Sequence, residues 1–395
     1  MRTLRAAALG WVVFLGACSL PNVGLWDAHG KADTGLYESY GAKVVNGHLP
    51  YGSGFSLEFP PGAIPALAVP ALPRSSYVVW FKLFAFGCGL AAVAAVAAAT
   101  AGAPSRRQLP AVLAAAVAPA LLGPITLNSF DLWPAALAGW AVALVVRGRS
   151  RWGVALLGAA TAAKLYPLLL APVLLTHVVR TRGAREGGRA FAAGAAVVVA
   201  AFAPFLALAP GGLGYSLRRQ ATRGLQVESL GGSILGAAHR LGAGFHVTVT
   251  HAPFSFDIAG SAARALASVS SVVLLVAVLA IWRRHMAAEG ARRSATLRAA
   301  AASAVAFVAF AKVLSPQYLL FLVPLVPAAG SLAATGLFLL ALGLTQVWAR
   351  FPEPFLELTH LGAFVWAALA RNLVLVVLYA VLLRGLRARR ATSTP

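Results

Sequence analysis

The stretch AFAAGAAVVVAAFAPFLALA, residues 190–209, decides the fold. It carries no charged side chain, and about 20 such residues wound as a helix cross the roughly 30 Å hydrocarbon core of a bilayer. A second run of that length, AARALASVSSVVLLVAVLAIW at 262–282, holds one arginine near its start. Apolar side chains make up 59% of the chain, so such runs are the rule and a polytopic membrane protein is expected.

Outward from these runs the charges sort by sign and place. The 33 Lys and Arg against 11 Asp and Glu give a formal charge of +22, which on its own suggests nucleic acid. The basic residues fall instead in short clusters between apolar runs, with no continuous basic face, so a nucleic-acid partner is excluded and membrane lipids are the surroundings. Cys18 and Cys88 both sit in apolar runs, which points to neither a disulfide nor a metal site. The opening MRTLRAAALGWVVFLGACSL imitates a lipoprotein signal peptide through Arg2, Arg5 and Leu15-Gly16-Ala17-Cys18. The alternative is a retained first transmembrane helix running to Trp26, which the embedded character of the rest of the chain favours.

Arginine clusters mark the cytoplasmic side. They occur at 2/5, 106/107, 147/149/151, 180/182/185/189, 283/284/292/293/298 and in the tail 384–395. The expected spans are 6–26, 76–101, 109–127, 132–146, 190–209, 262–282, 299–314, 331–349 and 362–383. Between Trp152 and Val179 both flanks are basic and Lys164 with Pro167 interrupts the middle, which predicts two short half-spanning helices meeting near Lys164. KVLSPQYLLFLVPLVP (312–327) then supplies one short descending pass. The sum is a single all-α membrane domain, 1–395, of about 12 passes with both termini cytoplasmic. Outer loops fall at 27–75, 210–261 and 350–361.

This topology sends most of the scarce acids outward: Asp27, Asp33, Glu38, Glu58, Asp131, Glu228, Asp257, Glu353 and Glu357, leaving Glu186 and Glu289 inside. Part of that asymmetry follows from basic residues being held inside; the remainder suggests an extracytoplasmic site. Asp33, Tyr37 and Tyr40 stand at helical spacing, so one short helix presents a carboxylate beside two phenols. The apolar, proline-rich run after Glu58 suits an interfacial element that cradles lipid. Lys164 and Lys312, two of only five lysines, sit at breaks between short helices. Ionisable groups at membrane depth are functional candidates, against the plainer reading of snorkelling to the interface. His29, His48, His246, His251 and His360 show no paired ligand spacing, so zinc is not expected; a magnesium site on Asp33 and Glu58 stays open.

The order of aspartate, tyrosine, GHLPY (47–51) and EFPPGA (58–63) resembles the first outer loop of glycosyltransferase family 87. NSFDLWPAAL (128–137), GAATAAKLYPLLLAPVLL (158–175), TRGLQVESLGGSIL (222–235) and SPQYLLFLVPL (315–325) extend the resemblance from about residue 27 to 327. It implies a GT-C-type bundle and a mannosyltransferase-like enzyme of the inner (plasma) membrane with an extracytoplasmic active site. Such an enzyme takes a hexose from a polyprenyl-phosphate carrier to a glycolipid or glycan acceptor, inverts the anomeric carbon and needs no metal or other cofactor. Asp33 occupies the place of the catalytic base, with Glu58 as runner-up; the plain alternative for Asp33 is a helix N-cap. Lys164, Arg223 and Lys312 are expected at the donor phosphate. Tyr37, Tyr40, Tyr51, Glu58, Asp131, Gln226, Glu228, Gln317 and Tyr318 are expected at the sugar or acceptor. A secondary transporter or flippase also uses broken helices and buried lysines, but the chain shows no inverted repeat by eye.

Overall fold

The computed structural model describes residues 1–31, 33–243, 248–252, 255–288, 292–349 and 364–386. The expected outer loop 350–361, Glu289, Glu353, Glu357, His246, His360 and most of the basic tail lie outside the described residues. Helices dominate, because the chain is built of apolar runs whose backbone groups must be satisfied within each segment. In chain order they are α1 (Arg2–Cys18), α2 (Thr34–Val45), α3 (Ile64–Ala68), α4 (Tyr77–Ala99), α5 (Ser105–Ala116), α6 (Ala118–Leu122), α7 (Leu132–Val146) and α8 (Ser150–Ala163). Then come α9 (Ala171–Arg182), α10 (Ala184–Leu208), α11 (Pro210–Thr222), α12 (Leu230–Arg240), α13 (Ser261–Ala287), α14 (Arg293–Phe310), α15 (Leu332–Ala349) and α16 (Phe364–Arg384).

Among the described residues, five stretches are long and apolar enough to cross a membrane: α4, the joined α5–α6 segment Ser105–Thr126, α10, α13 and α16. Only 6% of the most apolar window of α10 and 17% of that of α13 are buried within the protein, so these two present their sides to lipid. The inner helices are held by small residues. Gly158 of α8 and Gly194 of α10 face each other so closely that a Cβ on either would strike the other helix's backbone. Such close approach lets dispersion and backbone contacts replace the hydrophobic drive that is weak in lipid.

α8 and α9 are two short helices joined by a 3-10 turn at Tyr166–Leu170, the break expected at Lys164. One expectation needs correction. The first helix ends at Cys18 rather than Trp26. Beyond it the chain turns at Gly24 (φ +76°), and buried Lys82 of α4 donates to the carbonyls of Gly24, Asp27 and His29 at 2.8, 2.6 and 3.1 Å. The loop thus peels away because its carbonyls have a better partner than a further helical turn. Residues 316–329 form two 3-10 segments, Pro316–Leu322 and Pro327–Ala329, almost wholly buried; prolines at 316, 324 and 327 deny a regular helix its N–H donors. Beside these helices the described residues include one small antiparallel sheet, β1 (Leu225–Gln226), β2 (Thr248–Ala252) and β3 (Ser255–Ala259) in the order β1-β3-β2, and the chain as a whole fits an all-α membrane protein.

The arginine clusters collect at one end of the bundle. Arg293 donates to Ala99 and Ala101 at 2.6 and 2.7 Å, Arg180 to His285 and Ala288 at 3.1 and 2.9 Å, and Arg284 to Leu383 at 3.0 Å. These side chains cap carbonyls left open at helix ends. α7 and α8 run between that end and the other, where Asp131 opens α7 and Lys164 closes α8.

Candidate active site

Asp33 holds the N-cap position of α2, yet its carboxylate caps no backbone N–H. It accepts instead from the hydroxyl of Tyr37, one turn on, at 3.4 Å. The Tyr37 ring is buried against Phe81, Phe130 and Phe59, with centroids 5.4, 5.6 and 6.0 Å away, so the phenol has little freedom. Asp33 opens onto a small cavity of about 40 Å³, also lined by Tyr37, Glu58, Asp131, Lys164, Arg223, Gln317 and Tyr318. Residues from six separate segments therefore converge on one point.

Glu58 is brought there by its own backbone. Its carbonyl accepts from Ser216 Oγ at 3.1 Å and Gln220 Nε2 at 3.0 Å, both on α11. The carboxylate Oε2 is buried and has no hydrogen-bond partner among the described residues. Four residues on, Gly62 lies against the end of α8, where a Cβ would sit 2.5 Å from the backbone of Ala162 and Ala163. The indole of Trp133 donates to the Gly62 carbonyl at 3.0 Å. Absence of a side chain at Gly62 is what lets the loop reach the α8 break.

Lys164 pairs with Asp131, whose other oxygen accepts from Ser129 Oγ at 2.5 Å. Its ammonium also lies over the rings of Tyr318 (4.5 Å), Phe130 (5.1 Å) and Phe321 (5.2 Å). Ring faces and a carboxylate together stabilise a cation in a poorly solvated place. The pair is not sealed: the Lys164 side chain keeps 18% of its exposure while Asp131 keeps 1%. Lys164, Arg223, Phe59 and Tyr318 also line a second, larger cavity of about 450 Å³. Its walls are otherwise largely apolar, with Leu165, Leu169, Leu217, Leu274, Phe307 and Val313, and Lys312 stands among them. Lys312 donates to the carbonyl of Ala221 at 3.0 Å, and its own carbonyl accepts from Gln226 N at 2.9 Å, which holds the Arg223 segment against the α14 exit.

Burial pushes the Asp33 carboxyl above the usual carboxylate range, Asp131 adds to the rise, and Tyr37, Lys164 and Arg223 oppose it. Glu58 is raised by burial too, against Arg223 and Arg219. The Asp33 charge adds to the rise at Glu58, the expected result when carboxylates share a poorly solvated space.

Four expected site residues lie elsewhere. Tyr40 packs against Phe55 and Phe59. Tyr51 donates to the Phe59 carbonyl at 2.6 Å and packs on Phe205. Gln226 donates to Ser315 Oγ at 3.1 Å. Glu228 pairs with Arg371 of α16 at 3.2 Å, while its carbonyl accepts from Arg371 and Asn372 at 2.7 and 3.0 Å. None of the four lines either cavity. Sequence reasoning passed over Asn128, Ser129 and Phe130, although NSFD is a polar interruption between apolar runs. It also passed over Arg371, a lone charge in the middle of an apolar helix.

The sequence profile of glycosyltransferase family 87 matches residues 58–316. The match takes in Glu58, Asp131, Lys164, Arg223 and Lys312; Asp33 precedes it, and Gln317 and Tyr318 follow its end. No curated protein matches the chain. With well over half its length matched and its apolar helices long enough to span a bilayer, the chain belongs to glycosyltransferase family 87 and is a membrane glycosyltransferase.

Proposed function

We propose that the protein transfers a hexose, mannose foremost, from a polyprenyl-phosphate carrier to a glycolipid or glycan acceptor at the outer face of the plasma membrane, with inversion. The observation that carries this reading is the pair of adjoining cavities. One is roomy and mostly apolar, the other small and carboxylate-lined, and Lys164 and Arg223 belong to both. A lipid carrier has that same division: an apolar tail, an anionic phosphate and a polar sugar.

In this reading the prenyl tail lies along Leu165, Leu169 and Leu274, and the phosphate meets Lys164, Arg223 and Lys312. Because Asp131 already offsets Lys164, Arg223 and Lys312 remain for the singly charged phosphodiester and for the second negative charge that develops as the phosphate leaves. Asp33 accepts the proton of the acceptor hydroxyl as its oxygen bonds to the anomeric carbon. The bond from that carbon to the phosphate oxygen breaks with its electron pair, and the cations steady the charge that develops there. A carboxylate raised above its ordinary range is a stronger base once ionised, which suits the task. Glu58, with an oxygen lacking any partner, is placed to accept from a sugar or acceptor hydroxyl. The arginine-rich end of the bundle would face the cytoplasm, and this supports an outer site.

The deciding experiment gives the purified protein a panel of radiolabelled polyprenyl-phosphate sugars with a membrane lipid extract. Transfer from the mannose carrier, lost in Asp33→Asn with donor binding kept, is the expected result. Labelling from a nucleotide sugar alone would sink the donor assignment.

A further inference from the structure

Of the turn Asn128–Asp131, Phe130 and Asp131 line the small cavity, while Asn128 and Ser129 stand behind it and bond to its neighbours. Asn128 is buried, and its Oδ1 accepts from the backbone N–H of Lys31 at 3.0 Å and from Thr34 Oγ1 at 3.2 Å. Those two partners flank Asp33 on either side. The Asn128 amide in turn donates to the Pro124 carbonyl at 2.8 Å, anchoring it to the end of the Ser105–Thr126 segment. Ser129 holds Asp131, Asp131 holds Lys164, and Phe130 fills the space between Tyr37, Phe59 and the Lys164 ammonium.

The loop that carries Asp33 comes from a distant part of the chain, and its carboxylate makes no capping bond that would fix it. Something else must set where it stands relative to Lys164. We propose that the turn Asn128–Asp131 is a positioning element with two ends: Asn128 holds the Lys31 N–H before Asp33 and the Thr34 hydroxyl after it, Asp131 holds Lys164, and four consecutive residues thereby set the spacing of carboxylate and ammonium across the small cavity. Asn128 and Asp131 are positioning residues in this account, and neither needs to touch substrate. The inference rests on the reading of Asp33 as base only for its effect on turnover; the geometry stands without it.

The consequence is electrostatic as well as geometric. Asp33 faces Tyr37 of its own helix, Glu58 and Asp131 as acids, and Lys164 and Arg223 as cations. A negative charge introduced at 128 lies beside the Asp33 backbone and must raise its pKa. Loss of the charge at 131 removes a repulsion and frees Lys164, and both effects lower it. Two changes within one short turn should move the same group in opposite directions.

The test uses the full-length protein in lipid nanodiscs. Asp33 protonation is followed by infrared difference spectroscopy of its carboxyl C=O band, identified by its loss in Asp33→Asn. Asn128→Asp should shift the titration upward in pH and Asp131→Asn downward, each read at a temperature where the variant keeps the wild-type helical circular-dichroism spectrum. Asn128→Ala should lower kcat with polyprenyl-phosphate mannose by up to about 100-fold, the scale of a misplacement near 1 Å, and leave KM unchanged. Should Asn128→Ala fail to fold, Asn128→Asp still accepts from both partners and carries the test. Shifts that are absent or of one sign, or an unaltered kcat in Asn128→Ala, would overturn the proposal. Retained transfer in Asp33→Asn would instead remove the base reading, while the infrared shifts would still report on positioning.

Discussion

Two buried ion pairs of this molecule look alike on paper and differ in kind. Arg371–Glu228 is closed: the side chains keep 2% and 7% exposure, and Asn372, Ser233 and the Glu228 carbonyl satisfy the groups around it. Lys164–Asp131 is closed on the acid side alone, and its ammonium borders two cavities. The first pair fastens α16 to the segment between α11 and α12. The second holds a cation ready at a place a ligand can reach. Burial and pairing do not distinguish a latch from a site; what distinguishes them is whether one partner still has a free side.

The sharpest way to break this comparison is at Asp33, which belongs to the open region. Asp33→Asn preserves shape and is expected to cost about 10²–10⁴-fold in transfer rate, the usual worth of a positioned base. Because burial disfavours the ionised acid, the same change should raise the unfolding temperature at neutral pH. A carboxyl raised in the folded state favours folding fully at pH below its unfolded pKa, and that contribution is lost as pH rises through the folded one. A variant that is both active and less stable would reverse the assignment. At the closed pair, Arg371→Ala should cost about 3–5 kcal/mol of stability, the scale of an orphaned buried partner. Arg371→Met combined with Glu228→Leu should recover most of it, as thermal unfolding in detergent would show.

Lys164→Ala should lower kcat/KM through about 2–4 kcal/mol of lost transition-state stabilisation, and Lys164→Arg should restore little, because a planar fork does not replace a point charge within the ring cage. Near-normal kinetics in Lys164→Ala would make the open pair another latch. The acid limb of the rate profile should lie above the ordinary carboxylate range, since Asp33 must be ionised to act and its pKa is raised. A limb at the pH of a free aspartate, read from kcat/KM between about pH 4 and 8, would contradict that. The smallest effect belongs to Glu58→Gln, which keeps a hydrogen-bonding group and should change KM more than kcat.

Part of the candidate site's geometry was legible in the chain. Asp33 and Tyr37 at i and i+4 forecast a carboxylate beside a phenol, and the break at Lys164 was visible from charge on both flanks. Tyr40 shares the helix of Asp33 and Tyr37 but turns to a ring cluster with Phe55 and Phe59, since helical spacing states which residues share a face and not what covers that face. Glu228 and Gln226 read as sugar contacts because polar residues between apolar runs invite that reading; their partners, Arg371 and Ser315, are 143 and 89 residues away.

Sequence alone determined that the chain is a helical membrane protein, which end of the helices gathers the arginines, and which family it resembles. These follow from local quantities: run length against bilayer thickness, the sign of charge at each run's end, and the order of short motifs. Only the tertiary structure decided that Asp131 pairs with Lys164, that Asn128 bonds to Lys31 and Thr34 beside Asp33, and that Tyr51, Gln226 and Glu228 find their partners at Phe59, Ser315 and Arg371. Those outcomes depend on which helices lie side by side and on where a missing side chain, as at Gly62, allows two backbones to meet. Packing of that kind is a property of surfaces distant in sequence, and no local pattern records it.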